Sequence, residues 1–250
     1  MAASGFFGES PFFLLDYALR LLRVVVLLAL WRTVLLERAQ AGPMGLPQVL
    51  TYTLVAEVFA AQLNLRTSLN QTLWEGTLVV RFLRPMGLIR QLASEMAGQW
   101  SIDLLLFSVP LFAIAPLLGV DPRPASVQAG VLFVPSLALA IVVGLAMEQL
   151  FGAVVVGLQQ PVWLVEYVRG AIALLLSGQL LPLAYYPAGV GELFGWLPFA
   201  AMAWAPLAIY TEAGNPIALM GAQLLWAALL WPLANWLWRA NREKLASHGG

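Results

Sequence analysis

The chain has 250 residues, of which 61% are apolar and 10% charged, with a formal net charge of zero and no cysteine. Soluble domains average about 45–50% apolar and about 25% charged residues, so the composition excludes an ordinary soluble domain and reads as a membrane protein with several spans. The lack of cysteine excludes disulfides, thiolate metal sites and cysteine nucleophiles. The one lysine, Lys244, follows Glu243, so the G-x-x-x-x-G-K-[S/T] phosphate loop is missing and ATP hydrolysis by that route is excluded.

Phe6 to Leu22 mixes aromatic residues with Glu9, Asp16 and Arg20. It reads either as the first turns of a membrane helix or as an interfacial helix leading into one. A first span follows at roughly 21–36, with Arg32 near its far end, where the long side chain can snorkel. Glu37-Arg38 and Gly42-Pro43 make a short loop. The second span, roughly 46–64, contains Glu57. A carboxylate at that depth is costly and is usually paired or functional, so a structural pair and a proton-transfer role are both open.

Residues 70–87 form the longest polar-punctuated stretch between apolar spans. They carry Arg81 and Arg84, with Arg66 and Arg90 on the flanks. Pro85 is expected to end one short helix and start the next. The pattern from Thr72 to Leu83 predicts a short helix along a surface, of the kind that touches lipid headgroups or another protein. Leu88 to Trp100 continues as a helix with Arg90, Gln91, Glu95 and Gln99 as its polar positions.

The third span, roughly 102–118, is interrupted by Pro110 and Pro116, and Asp121-Pro-Arg-Pro124 is a turn. The fourth runs roughly 130–150, with Glu148 near its end; Gln159-Gln160-Pro161 marks a connection, and the fifth runs roughly 167–185. Residues 187–215 are apolar and aromatic but broken by Pro187, Pro198, Pro206 and several glycines. Irregular backbone at membrane depth is tolerated only where protein or water covers it. This stretch therefore reads as two short helices that dip back into the membrane and break near Pro198, or as an apolar outer loop on the bilayer. The last span, roughly 216–238, ends in Trp236 and Trp238, which look like an interfacial belt, and Arg239, Arg242 and Lys244 follow.

The fold class is thus an all-α integral membrane protein with six spans in one domain. Arg20, Arg23, Arg66, Arg81, Arg84, Arg90, Arg239, Arg242 and Lys244 fall on one side, and Arg32, Arg38 and Arg123 on the other. The excess of positive charge places both termini and residues 70–87 in the cytoplasm. No Ser–His–carboxylate set, metal cluster or dinucleotide fingerprint is present, so no enzyme activity, cofactor or metal is expected on this chain. The basic residues are too few and dispersed for nucleic-acid binding. Glu57, Asp103, Glu148 and Glu166 lie on different segments; they suit either helix-pairing roles or a proton-coupled carrier.

Two motifs carry a family resemblance. Gly76 followed by Phe-Leu-Arg-Pro at 82–85 is one. Leu176-Ser-Gly-Gln-Leu-Leu-Pro-Leu-Ala-Tyr-Tyr-Pro187, followed by Leu197-Pro-Phe-Ala200 and Ala205-Pro206, is the other. Together with the order of spans, these resemble the ABC-2 type transport permeases, in particular bacterial ones paired with a separate ATPase subunit; the likeness covers nearly the whole chain. Trp74-Glu75 before Gly76 departs from the pattern.

The resemblance implies an exporter subunit in the bacterial plasma membrane, pairing with a second copy or a related permease. It implies a coupling helix seated in an ATPase subunit, with Glu75, Gly76, Arg81, Arg84 and Pro85 at the contact and Glu75 and Arg81 free to pair across it. ATP and Mg²⁺ would belong to that partner. Ser177, Gly178, Pro182, Pro187, Pro198 and Phe199 would belong to the outer gate or path. The apolar lining points to an amphipathic, lipid-like, peptide or drug cargo. The competing readings are the proton-coupled carrier using Glu57 or Glu148 and a membrane scaffold subunit without transport.

Overall fold

The computed structural model describes residues 12–37, 43–158, 161–187 and 189–241, and every element among them is a helix. The expectations for Phe6 to Pro11, for Arg38 to Gly42, for Gln159-Gln160 and for Arg242, Lys244 and His248 lie outside the described residues.

Helix α1 runs Phe12–Glu37 without a break, so its first turns belong to the same helix as the apolar stretch that follows. Helix α2 (Leu46–Val58) starts with Pro47 in its first turn, where the missing N–H costs nothing, and a one-turn helix α3 (Ala60–Leu63) extends it. Two short helices, α4 (Leu69–Trp74) and α5 (Leu78–Phe82), occupy the polar stretch.

The chain from Leu88 to Leu118 is continuous helix of changing pitch. It comprises α6 (Leu88–Asp103), a π turn at Leu104–Ser108, α7 (Val109–Ile114) and a 3₁₀ turn at Ala115–Leu118. The wide turn lies directly before Pro110, which supplies no N–H to the ladder, and Ser108 Oγ donates 2.7 Å to Val58 O on α2. Helix α8 (Val127–Leu158) is 32 residues long and runs eight residues past Leu150. Helix α9 (Val162–Leu176) starts earlier than 167 and stops at Ser177. Residues 187–215 contain three short helices, α10 (Val190–Gly195), α11 (Pro198–Met202) and α12 (Trp204–Tyr210). The last helix, α13 (Pro216–Ala240), is capped by Asn215 Oδ1, which accepts from Ile217 N at 3.0 Å and Ala218 N at 3.2 Å.

Three helices among the described residues are long and apolar enough to cross a membrane: Leu88–Leu118, α8 and α13. Helix α1 carries Asp16, Arg20, Arg23 and Arg32 along its length, while α2 and α9 are 13 and 15 residues long.

The main core gathers α1, α2, α7 and α12, with Val24, Leu28, Tyr52, Leu54, Leu111 and Leu207 all essentially inaccessible. Helix α12 is buried from Ala205 to Tyr210, so this part of the 187–215 stretch packs like a core helix and not like a surface loop. Tyr210 Oη donates to Pro122 O at 2.6 Å, and Gln48 Nε2 to Thr211 O at 2.7 Å, which fixes α12 to the 121–124 turn and to α2.

A second polar tie sits where α8, α11 and α13 meet. Gln223 is fully buried; its Nε2 donates to Ser136 O and Ala201 O, and its Oε1 accepts from Ser136 Oγ at 2.9 Å. Gln223→Leu leaves that hydroxyl and two carbonyls short of a partner, at a cost of about 1–3 kcal/mol. Thermal unfolding of the purified protein is expected to show a clear drop in Tm for Gln223→Leu and little change for Leu224→Ala on the exposed face beside it. Equal Tm values for the two would refute the structural role of the tie.

Candidate functional site

The stretch from Arg66 to Gly87 is built as a seat and an outward face. Leu69, Leu73 and Leu78 are buried and rest on Leu92, Val155 and Val156. Leu69 and Leu73 are four apart on one helix, so both reach the same side, and each Leu contributes about 1.5–3 kcal/mol on burial. The outward side is strongly exposed at Trp74 (67%) and Leu83 (81%), and also at Val80, Phe82 and Met86.

Gly76 makes the turn between α4 and α5. Its φ of 66° lies in the left-handed region, and Thr77 N donates to Thr72 O at 3.0 Å while Gly76 N donates to Leu73 O at 3.3 Å. These two bonds form a Schellman cap, which favours glycine at this position because a side chain is strained there. The Gly76 singled out by its motif is thus the residue that lets two helical turns replace the single expected helix.

Arg81 points into the segment. Its Nη1 lies 2.8 Å from Glu95 Oε1 on α6, and its Nη2 donates to Ser68 Oγ at 3.0 Å. Ser68 Oγ in turn donates to Glu95 Oε2 at 2.5 Å. Gln91 Nε2 donates to Arg81 O at 2.9 Å and Met86 O at 2.6 Å. This set locks the start of α4, the body of α5 and the first turns of α6 together. Arg81 is therefore committed inside the segment. Arg84 and Pro85 are exposed, and Glu75, also exposed, accepts from Gln71 Nε2 at 2.7 Å. Glu75, Arg81 and Arg84 share a small cavity of about 200 Å³ with Ser68 and Gln71.

The segment is mounted on a buried ion pair. Arg169 on α9 and Glu148 on α8 are 5% and 1% exposed, and Arg169 Nη1 donates to Glu148 Oε2. Glu148 Oε1 accepts from both the N–H and the hydroxyl of Thr67 at 2.9 Å. Arg169 Nη2 donates to Leu65 O at 2.6 Å, and the guanidinium lies 5.6 Å from the centre of the Phe151 ring. Two helices and the turn that launches α4 therefore meet at one charge pair.

The other internal carboxylates are also paired with arginine. Glu57 Oε1 lies 3.0 Å from Arg23 Nη2, Asp103 is bonded by Arg20, and Glu166 Oε1 lies 3.5 Å from Arg66 Nη1. Asn64 and Arg66 separate two open cavities. One, of about 430 Å³, has Arg20, Trp100 and Asp103 in its wall; the other, of about 550 Å³, has Trp163, Glu166 and Tyr167.

The residues expected at an outer gate lie on different elements between the end of α9 and the start of α11. Ser177 and Gly178 end α9: Ser177 O accepts from Trp204 N at 2.8 Å and Gly178 O from Tyr52 Oη at 2.6 Å. Gly178 has φ 78°, and a Cβ there would crowd Leu183 and Trp204. Pro182 is buried just before the 3₁₀ turn Leu183–Tyr185, whereas Pro187 is exposed. Pro198 opens α11, and Phe199 packs on the core formed by Val143, Met147 and Leu230.

Residues 21–249 match the family described as ABC-2 family transporter protein. The chain belongs to this family. Membership makes it a membrane transport component and implies association with an ABC ATPase subunit. No curated protein and no solved structure gave a significant match.

Sequence reasoning passed over Arg169, the residue on which the mounting of the segment turns. The available signal was a lone arginine in the apolar run after Glu148, since a charge inside such a run needs a partner. Removing one member of a buried pair leaves the other uncompensated and costs about 3–5 kcal/mol, whereas replacing both by apolar residues is far milder. Arg169→Met is therefore expected to lower Tm and monodisperse yield sharply, and Glu148→Leu with Arg169→Met to recover most of the loss. An Arg169→Met protein as stable as the parent would refute the pair's importance.

Proposed function

We propose that this ABC-2 family chain is the membrane-spanning subunit of an exporter driven by ATP bound with Mg²⁺ on a separate ATPase subunit. The observation that carries this is the construction of residues 66–87. The segment is rigid, seated by buried leucines and braced by Arg81, Ser68 and Glu95. It also presents Trp74, Phe82, Leu83 and Met86 together with the exposed Arg84. Apolar residues so placed beside a cation fit a protein groove. In this reading the ATPase seats the exposed face, with Arg84 and Glu75 at the contact, Gly76 and Pro85 shaping it and Arg81 bracing it from within.

Six spans are proposed, with α1, the α2–α3 pair and α9 joining the three long apolar helices. Charge and burial in the shorter helices are then accommodated by ion pairs within the bundle. Residues 187–215 form the outer element, anchored through Ser177 and Gly178, and the path lies between this chain and a second permease copy or a related one. ATP-driven closure of the ATPases moves the segment, and Thr67 passes the movement to Glu148 and Arg169. An amphipathic or lipid-like molecule, a peptide or a drug fits the apolar surroundings. The setting is a bacterial plasma membrane, with both termini cytoplasmic. Arginine pairing at Glu57 and Glu148 supports structural roles for these carboxylates over proton transfer.

Co-purification in mild detergent tests the reading. An ATPase subunit is expected to accompany the chain, with ATPase activity in the eluate. Leu83→Asp or Arg84→Glu is expected to release it while leaving Tm near that of the parent, because both side chains are exposed. Arg81→Glu is expected to lower Tm as well, since it breaks the internal brace. A chain that purifies without any ATPase under all conditions would sink the proposal.

A further inference from the structure

A cavity of about 430 Å³ opens between the start of α1, the end of α3 and the end of α6. Its size falls in the range of about 300–1,000 Å³ usual for small-molecule sites. One wall changes pitch here: Ile102 and Asp103 close α6, and Leu106 and Phe107 belong to the π turn that follows. Such turns inside helices are frequent at functional sites.

The charges in the wall do not cancel. Asp16 Oδ2 lies 3.1 Å from Arg20 Nε, and Asp103 Oδ1 accepts from Arg20 Nη1. Two carboxylates therefore share one guanidinium, and one negative charge is left over. The neighbouring cations are spent elsewhere. Arg23 Nη2 is 3.0 Å from Glu57 Oε1. Arg66, at the cavity's edge, turns its guanidinium to α9, where it lies 3.5 Å from Glu166 Oε1 and beside Gly170.

Aromatic rings stand in the same wall. Tyr17, Trp100 and Phe107 all line the cavity, and the guanidinium carbon of Arg20 lies 5.3 Å from the centre of the Phe107 ring. The wall thus already holds one delocalised cation, tethered between two carboxylates and an aromatic face. Trp100 has room for another: among the described residues no ring and no guanidinium stacks on it. An open indole face beside an unneutralised carboxylate selects a cation. The apolar wall at Ile102 and Leu106 favours one with a large hydrocarbon body.

From this juxtaposition we infer that the cavity is the acceptance site for cargo and that the cargo is a hydrophobic organic cation. That the ligand is cargo rests on the exporter reading, whereas its charge follows from the cavity alone. The cation lies on Trp100 and Tyr17 with its charge toward Asp103 and Asp16. Gln99 in the wall is one turn along α6 from Glu95, and Asn64 and Arg66 flank Leu65 in the turn that launches α4. An occupant therefore touches both the helix that carries the brace and the chain leading into the segment.

The full chain, purified in detergent with the subunits that accompany it, is titrated with radiolabelled tetraphenylphosphonium in a scintillation proximity assay. Saturable binding is expected. Triphenylphosphine oxide, a neutral analogue, and dioctanoyl phosphatidylcholine, whose cation belongs to a lipid headgroup, are expected to compete about tenfold or more less well than the unlabelled cation. Asp103→Asn removes the surplus charge and is expected to weaken binding about tenfold. Trp100→Leu leaves every charge in place and is expected to weaken it several-fold. Arg20→Gln is expected to tighten binding, because both carboxylates and the Phe107 face become free, a result that a folding defect cannot produce. Glu192→Gln, an equal charge change on α10, is expected to leave binding unchanged. In inverted membrane vesicles, uptake of tetraphenylphosphonium is expected to need ATP and to fall with Asp103→Asn. Equal competition by either analogue would overturn the assignment, as would unchanged binding in Asp103→Asn and Trp100→Leu or weaker binding in Arg20→Gln. Binding without ATP-dependent uptake, in a chain that retains its ATPase, would remove the cargo role. Binding of the cation by a chain that never carries an ATPase would keep the cation site and overturn the exporter reading instead.

Discussion

The Glu148–Arg169 pair is the constraint on which the mounting of the Arg66–Gly87 segment depends. Desolvating two charges is expensive, and a buried pair is weak evidence for stability. What matters here is that the pair is fully dressed. One carboxylate oxygen takes the guanidinium, the other takes two donors from Thr67, and the second guanidinium nitrogen takes the Leu65 carbonyl. Three of those bonds go to the one turn that holds Leu65 and Thr67, and the fourth joins α9 to α8. In a low-dielectric interior, a charge that loses any of them finds no water to replace it. The turn at Leu65 to Thr67 is thereby held in one position relative to α8 and α9.

The second brace begins at the next residue. Ser68 bonds Glu95 and Arg81, so the two polar clusters are adjacent in sequence and share the turn that starts α4. A displacement of α4 and α5 toward or away from the bundle must either break the Thr67–Glu148 bonds or carry α8 and α9 along. Buried leucines under the segment favour the second, because separating them from Leu92 and Val155 exposes apolar surface. The segment is thus joined to α8 and α9 without a flexible link. The join consists of two sets of strong hydrogen bonds one residue apart, and the continuous helix Leu88–Leu118, with its π and 3₁₀ turns, extends from the second set.

The legibility of this arrangement in the sequence was uneven, for physical reasons. Gly76 and Ser177-Gly178 could be singled out through the motifs that carry the family resemblance, and the left-handed φ of Gly76 and Gly178 supplies the physical reason for glycine there. The turn at 121–124 followed from its prolines. Partner choice was hidden. In a chain this apolar, helix faces are not marked by polar alternation, so nothing local tells which arginine meets which carboxylate. Arg20 and Asp103 are 83 residues apart, and Arg23 and Glu57 belong to different helices. Arg81 looked like a surface cation because its neighbours Phe82, Leu83 and Arg84 are exposed, but helical rotation turns it toward Glu95. The short helices α11 and α12 were similarly obscured, since their burial comes from α2, α8 and α13 and not from any amphipathic pattern of their own.

Pairing also explains how a chain of zero net charge acquires a polarity. Five carboxylates, Glu57, Glu95, Asp103, Glu148 and Glu166, are consumed by arginines within the bundle. Of the five described arginines without an ion pair, Arg84, Arg90 and Arg239 are at the end that carries α4 and α5, and Arg32 and Arg123 are at the other, where Glu37 and Asp121 also lie. Glu192 and Glu212 lie in the 187–215 stretch at the opposite end, where Glu212 accepts from Ser126. Neutrality in sum is thus segregation in space. An end that is positive and rimmed by tryptophan has the composition of a membrane–water interface. An excess of cations at one end is the feature that orients a membrane protein during insertion.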